Sequence, residues 1–316
     1  MAVEVEAALV AARAEKLFFY SPYNFLRALD GQLQQELFGT GPAAAYASEP
    51  SQEVFEAEVG EHKVQFLYAH LSWDSAFFKT PVYKLFTALF AAGVPAGALA
   101  QAAQAFREHL TQKGDFYIFA ELPAEDTAVA QMLGGSWRLV ETRLTYFHDG
   151  VSTFEQPRFP VRLARREEAD HIGRISAAAR NEYDRFHADA WYGPGQGDAF
   201  LARYAAAAVE GYCDAVLVPA EPGLPVDSFL AISDLPAHAA RFGTGFSRVV
   251  LTAVGPQNRG WHLKLVAETV QRAREQQAGY VLMTTQATNR AVFRTCEKLN
   301  FKLGGCSHVL ALSNTL

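Results

Sequence analysis

Val250-Leu-Thr-Ala-Val-Gly-Pro-Gln-Asn-Arg-Gly-Trp-His-Leu-Lys-Leu265 joins a β-rich apolar run to an amphipathic helix through a Pro-Gln-Asn-Arg-Gly turn. The run extends from Val249 to Val254. Past the turn, Leu263, Val266, Ala267, Val270 and Ala273 recur at helical spacing. A strand that enters a helix through a tight turn makes an anion site, because the first backbone N–H groups of a helix have no internal partner. Gly260 lets the backbone approach a ligand, and Arg259 adds a cation suited to phosphate. By itself the turn fits an ordinary strand-to-helix connection equally well.

The chain around it has 316 residues, 50% of them hydrophobic, enough for one large domain or two. A net charge of −6 argues against a nucleic-acid scaffold, which would carry a basic patch. Cys213, Cys296 and Cys306 form no metal pattern, and an odd, unframed set fits a reducing compartment. The longest apolar run, Val82 to Ala92, is interrupted by Lys84 and is too short to span a membrane. Met1-Ala-Val-Glu-Val-Glu lacks the basic start of a secretory signal. A cytoplasmic protein without nucleic-acid or membrane partners is expected, with a homodimer allowed.

Residues 1–60 read as irregular, with one helix over about Leu26 to Leu37. Val54–Val59 and Val64–Leu71 read as strands, and the aromatic-dense Leu71–Val82 as a turn. Ala98–Leu110 reads as a helix with Leu99, Ala102, Ala103, Phe106 and Leu110 on one face. Phe116–Leu122 and Arg138–Phe147 follow as strands around a short helix, Glu125–Leu133. Gly150–Pro160 is turn-rich and reads as the linker between two domains, 1–155 and 156–316. After it come a strand, two helices, a hairpin of Ala215–Pro219 with Ser228–Ser233, and a long loop, Leu235–Phe246. Strand 248–254, helix 262–277, strand 280–285, helix 289–299 and strand 305–312 complete the chain. The order β-α-α-β-β-β-α-β-α-β predicts α+β with a central mixed sheet.

That order, with Val254-x-Pro-x-x-Arg-Gly260 at its key turn, resembles the GCN5-related N-acetyltransferase (GNAT) superfamily. Thr284-Thr-Gln-Ala-Thr-Asn289 and Cys296-Glu-Lys-Leu-Asn-Phe301 look like the family's C-terminal segment, in which a tyrosine precedes Glu-Lys-Leu-Gly-Phe. A finer resemblance is to the TDP-fucosamine acetyltransferase type of sugar N-acyltransferase. It is carried by Trp73-Asp-Ser-Ala-Phe-Phe78, Asp115–Asp126, Trp137–Arg143 and Arg185-Phe-His-Ala-Asp189. The resemblance begins near residue 64; residues 1–60 have no counterpart. It implies a GNAT fold with a splayed sheet, preceded by a smaller α/β domain that is itself a partial GNAT-like half.

The resemblance also implies acetyl-CoA or another acyl-CoA as cofactor, and a small-molecule primary amine as acceptor, such as an amino sugar or its nucleotide-linked form. The N–H groups of Gln257, Asn258, Arg259, Gly260, Trp261 and His262 would hold the pyrophosphate. The backbone of Ala253 and Val254 would pair with the pantetheine arm, and Asn289 would contact it or cap its own helix. Two positions depart from the family. Cys296 replaces the tyrosine acid; it either protonates the leaving thiolate or packs beside Val292, Phe293 and Leu299. His262 stands where a small residue is usual, crowding the phosphate or contacting it. Thr252 stands where a strand glutamate would serve as base. His187 is the alternative base, or else a loop brace. Arg185 would bind a phosphate or carboxylate, and Trp191 and Tyr192 would stack on a sugar or base; a surface ion pair and a satellite hydrophobic cluster are the plainer readings. His238 and Arg241 lie in the loop facing the acceptor, and Trp73 and Asp74 are expected to buttress a core. Another amine acceptor, or a CoA-binding domain without turnover, fits the same residues.

Overall fold

The computed structural model describes residues 3–315, so Met1 and Ala2 of the N-terminal reading lie outside the described residues. Two compact units divide the chain: one runs to Thr142 and resumes at Gly305, and the other is Arg143–Gly304. No helix among the described residues is long and apolar enough to cross a membrane.

The first unit opens with α1 (Ala7–Leu17), α2 (Gly31–Phe38) and α3 (Thr40–Ala44). The hairpin β1 (Gln52–Val59) and β2 (His62–His70) leads to α4 (Ser72–Phe78), then β3 (Val82–Phe90), α5 (Ala96–Gln112), β4 (Tyr117–Pro123) and α6 (Thr127–Leu133). β5 (Arg138–His148) leaves the unit. β1, β2 and β3 pair antiparallel, and β3 pairs parallel with β4 across the α5 crossover. The apolar stripe of α5, Leu99 to Leu110, packs against this sheet as its spacing predicts.

The β3–β4 pairing ends at Leu85↔Ala120, although both strands continue. The N-terminal segment closes the opening. Leu9, Val10 and Leu17 pack with Leu67 and Leu89, and the Arg13 guanidinium lies 4.5 Å over the Phe90 ring. Arg13 Nη2 donates to both oxygens of the fully buried Asp126 at 2.6 Å. The Tyr20 hydroxyl donates to the same carboxylate at 2.7 Å and meets Thr87 Oγ1 at 2.9 Å. The described residues ahead of β1 therefore include three helices, of which α1 packs on the sheet. Their signal is weak because α1 carries only a narrow apolar face and its anchoring group is a charged residue.

The second unit contains β6 (Val161–Leu163), α7 (Ala169–Ala178), α8 (Arg185–Ala188), α9 (Gln196–Ala207), β7 (Ala215–Pro219) and β8 (Ser228–Ser233). After these come α10 (Pro236–Phe242), β9 (Gly245–Val254), α11 (Trp261–Glu275), β10 (Ala278–Gln286) and α12 (Arg290–Lys298). β6 to β9 pair antiparallel, β9 and β10 parallel, and β10 antiparallel with residues 143–148 of β5. α11 and α12 bury Leu265, Val266, Val270, Val292, Cys296 and Leu299 on one face, and α7 and α9 cover the other. β11 (Lys302–Ser313) then carries the chain into the first unit, where residues 307–313 pair with β4. Each unit's parallel pair is thus flanked by a strand from the other half of the sequence.

Several expectations change. The contact division falls at Thr142/Arg143, and Gly150–Pro160 is a strap packed on α11 instead of a free linker. Val151 and Phe154 are buried under that helix. The buried Glu268 accepts the Phe159 N–H at 2.6 Å and Arg158 Nε at 2.9 Å, while Gln271 and Arg274 donate to strap carbonyls. Leu71–Val82 is largely the helix α4. Trp73 is 43% exposed and stacks on Phe77, one helical turn away, so it is no core buttress. The predicted loop 235–246 contains α10, with Pro236 in its first turn and Gly243 ending it at φ +67°. The helix expected at Leu26 starts at Gly31, where Asp30 accepts the Leu33 N–H.

Arg13→Met leaves the Asp126 carboxylate buried without its cation. A loss of about 3–5 kcal/mol in urea unfolding is expected; a change under about 1 kcal/mol would mean that the first unit does not depend on this pair.

Candidate functional site

The β9–β10 pairing runs from Ala278↔Gly245 to Met283↔Val249 and ends there. β9 continues to Val254 against β8, and β10 continues to Gln286 against β5. The rungs Leu251↔Ala231 and Val249↔Ile232 leave Val250 as the extra residue of a bulge where the strands part. Beyond it, residues 251–254 pair on their β8 side only, so the backbone of Ala253 and Val254 borders a gap.

The turn after β9 is clamped to the start of β8. Gly255 N–H donates to Asp227 O at 2.6 Å, and Gln257 N–H to Asp227 Oδ2 at 2.8 Å. Asn258 Oδ1 accepts from Asp227 N–H at 3.0 Å and Ser228 Oγ at 2.8 Å, and its Nδ2 donates to Pro225 O. The Asp227 carboxylate sits so close that a Cβ on Gly255 would lie 2.2 Å from it. Gly260 takes φ +86°, a region that favours glycine, and turns the chain into α11. No side chain caps α11, which leaves its first N–H groups open. The anion site is therefore narrower than expected. The Gln257 N–H is held by Asp227 and the Asn258 N–H by Gly255 O, so the available donors begin at Arg259.

A pocket of about 570 Å³ opens where this turn meets α12. It is lined by Val254, Gly255, Pro256, Arg259 and Gly260 of the turn, His262 and Leu263 of α11, and Ala291, Arg294, Thr295 and Lys298 of α12. Arg259, Arg294 and Lys298 line it, no lining residue is acidic, and none of the three has an ion-pair partner among the described residues. In a chain of net charge −6, this is a local cationic site. His262 meets Thr295 Oγ1 at 2.9 Å through Nδ1, while its Nε2 is shielded from solvent without a hydrogen-bond partner. Burial pushes its pKa down to about 4, so a neutral ring faces the pocket and adds no charge for a phosphate. Asn289 caps α12 by accepting the Val292 N–H at 3.3 Å, the plainer of its two expected roles. Trp261 is buried in the core, with Lys264 Nζ 4.4 Å over its ring.

Other predicted residues lie away from this pocket. Cys296 is fully buried among the core residues of α11 and α12, and burial pushes its thiol up to about 12. This supports packing over proton donation. His187 is clamped, with Nδ1 at 2.8 Å from Asp184 and Nε2 at 2.9 Å from Asp198. Both ring nitrogens are engaged, which makes it a brace between α8 and α9. Arg185 is 8% exposed with its guanidinium 4.5 Å over Phe186. Trp191 and Tyr192 meet edge to face at 5.0 Å, and Tyr192 packs on Phe186. These rings form a satellite cluster, and Tyr192 is buried. Thr252 donates its hydroxyl to Phe229 O at 2.9 Å.

No protein-family model and no curated protein matches the sequence. Solved structures do. A GCN5-related N-acetyltransferase from Sphaerobacter thermophilus superposes with a TM-score of 0.53 at 9% identity, over 98% of this chain and 94% of that one. The fold is that of the GCN5-related N-acetyltransferases. A GNAT-family acetyltransferase from Colwellia psychrerythraea has a TM-score of 0.49 at 14% identity, covering 98% of both chains. A GCN5-related N-acetyltransferase from Kribbella flavida has 0.46 at 13%, covering 98% and 96%. The α+β class, the mixed sheet and the parted parallel strands expected for a GNAT fold are all present.

Sequence reasoning missed Arg294, Lys298 and Asp227. The first two were legible in principle. With Asn289 as cap, Ala291, Arg294, Thr295 and Lys298 fall on one face of α12, beside the apolar positions Val292, Cys296 and Leu299.

Asn258→Ala removes an acceptor shared by the part-buried Asp227 N–H and the buried Ser228 hydroxyl. It should cost about 1–3 kcal/mol in chemical denaturation; no loss would mean the turn holds without the clamp. The depressed His262 pKa lies below its unfolded value, so the unfolded state binds the extra proton. Its contribution is complete above about pH 6.5 and is lost as pH falls towards about 4. His262→Gln should flatten the acid side of the stability–pH curve in that window; an unchanged slope would assign the acid sensitivity elsewhere.

Proposed function

We propose that the protein is an acetyl-CoA-dependent N-acetyltransferase acting on a primary amine of a small molecule by direct transfer in a ternary complex. One observation carries this reading: parallel strands that part beside an uncapped helix N-terminus whose pocket holds three unpaired cations and no acid. A diphosphate suits such a pocket, through the α11 N–H groups and Arg259, Arg294 and Lys298. The open edges of β9 and Asn289 suit the amide groups of a pantetheine arm, which would lie between β9 and β10 like an added strand.

In the transfer, the amine nitrogen forms a bond to the acyl carbon while the carbon–sulfur bond breaks. The amine loses a proton and the thiolate gains one. Holding both reactants along the gap contributes much of the rate, and backbone N–H groups on the free edge of β9 are suited to the developing oxyanion. An amino-sugar acceptor rests on the resemblance of Trp73–Phe78, Asp115–Asp126, Trp137–Arg143 and Arg185–Asp189 alone. A CoA-binding domain without turnover is the second reading, favoured by the buried Cys296 and the clamped His187.

Thermal-shift measurements with acetyl-CoA and CoA, with thiol release over amino sugars, polyamines and peptides, test these readings. Binding with thiol release on one class supports the transferase and identifies the acceptor. Binding without release on any class supports the second reading, and no shift with either ligand removes both. Charge reversal at Arg259, Arg294 or Lys298 should each weaken acetyl-CoA about tenfold, ~1.4 kcal/mol, and affinity should fall with added salt. Calorimetric titration should give one acetyl-CoA per chain, since Arg13 and Tyr20 bridge from the N-terminal segment to Thr87 and Asp126 beside the parted strands of the first unit; two would contradict that closure.

A further inference from the structure

Thiol release by the proposed transfer needs a proton at sulfur, and the groups around the strand gap can be taken in turn. Cys296 is sealed in the core. The Thr252 hydroxyl is committed to Phe229 O. Thr145 and Thr284 are bonded to each other at 3.1 Å. His262 is neutral, with one ring nitrogen occupied by Thr295. Tyr146 is left. It sits on β5 directly opposite Met283, the last residue of β10 that pairs with β9. Its Cα is therefore one strand spacing, about 4.8 Å, from the strand that borders the gap. Met283 belongs to the core under α11 and α12, and Tyr146 packs against that core, with its ring 6.1 Å from Phe293. Its hydroxyl has no hydrogen-bond partner among the described residues, although every other hydroxyl just considered has one.

On this reading of the function, we propose that Tyr146 is the proton donor to the leaving sulfur, delivered from β5 instead of from α12. The step is balanced: the carbon–sulfur bond breaks with its electron pair on sulfur, the phenol proton moves to that sulfur, and the phenolate is reprotonated from solvent. Burial, with Cys296 and Glu297 of α12 facing the ring, raises the phenol above its ordinary pKa and keeps it protonated at neutral pH. Met283 and Phe293, its other neighbours, carry no charge.

The test compares Tyr146→Phe with the full-length parent, using CoA as probe. The ring is retained on Phe293, and circular dichroism checks the fold. CoA affinity should stay within about twofold. The pKa of the bound CoA thiol, read from ultraviolet absorbance of the thiolate, should rise by about one unit in the variant, because a donor to the charged form is lost. With an amine that supports turnover, kcat should fall by about 10²-fold while KM for acetyl-CoA is unchanged. An unchanged thiol pKa in a folded, CoA-binding variant overturns the role of Tyr146 and leaves the proposed function standing. Failure of the parent itself to bind CoA overturns both.

Discussion

The second unit is organised by a backbone constraint. β9 must satisfy its hydrogen bonds on two sides, and β10 serves it only as far as Val249. Unpaired backbone groups inside a protein are costly, so an edge of this kind persists only where water or a ligand can meet it. The bulge at Val250 makes the parting local while keeping β9 in register with β8. The Asp227–Asn258 clamp then fixes the turn at the end of the opened strand, so the α11 N-terminus and the gap share one end of the sheet. Remove the parting and the pocket is only a surface notch.

The first unit shows how the same problem is solved without a ligand. Its parallel pair also separates, after Leu85↔Ala120, but the opening is met by the chain's own side chains. Arg13, Tyr20, Thr87 and Asp126 form a buried network in which a cation, a carboxylate and two hydroxyls satisfy one another. A network of that kind is stable only when complete. Two related arrangements therefore carry opposite chemistry: one is closed by an internal ion pair, and the other is open and lined by cations with no partner.

Much of this could be read in the sequence wherever apolar period and turn chemistry agreed. The strand–turn–helix around Gly260, the stripe of α5 and the Asn289 cap are each set by a local rule. Individual roles were harder. Whether Cys296 or His187 does chemistry depends on what surrounds it, and no spacing rule reports that burial or the two carboxylates. Trp73 misled because aromatic density usually marks a core, whereas its partner is Phe77 on the same exposed helix. Tyr146 escaped notice because its significance comes only from its register with Met283, a pairing between residues far apart in the chain.

The exchanged strands bear on how the protein is made. β5 directly follows the first unit's elements but completes the second unit, and β11, which follows the second unit, completes the first. A nascent chain emerging from the ribosome would hold β4 with an unpaired edge until β11 appears. The first unit thus completes its sheet only after the whole of the second unit has been made.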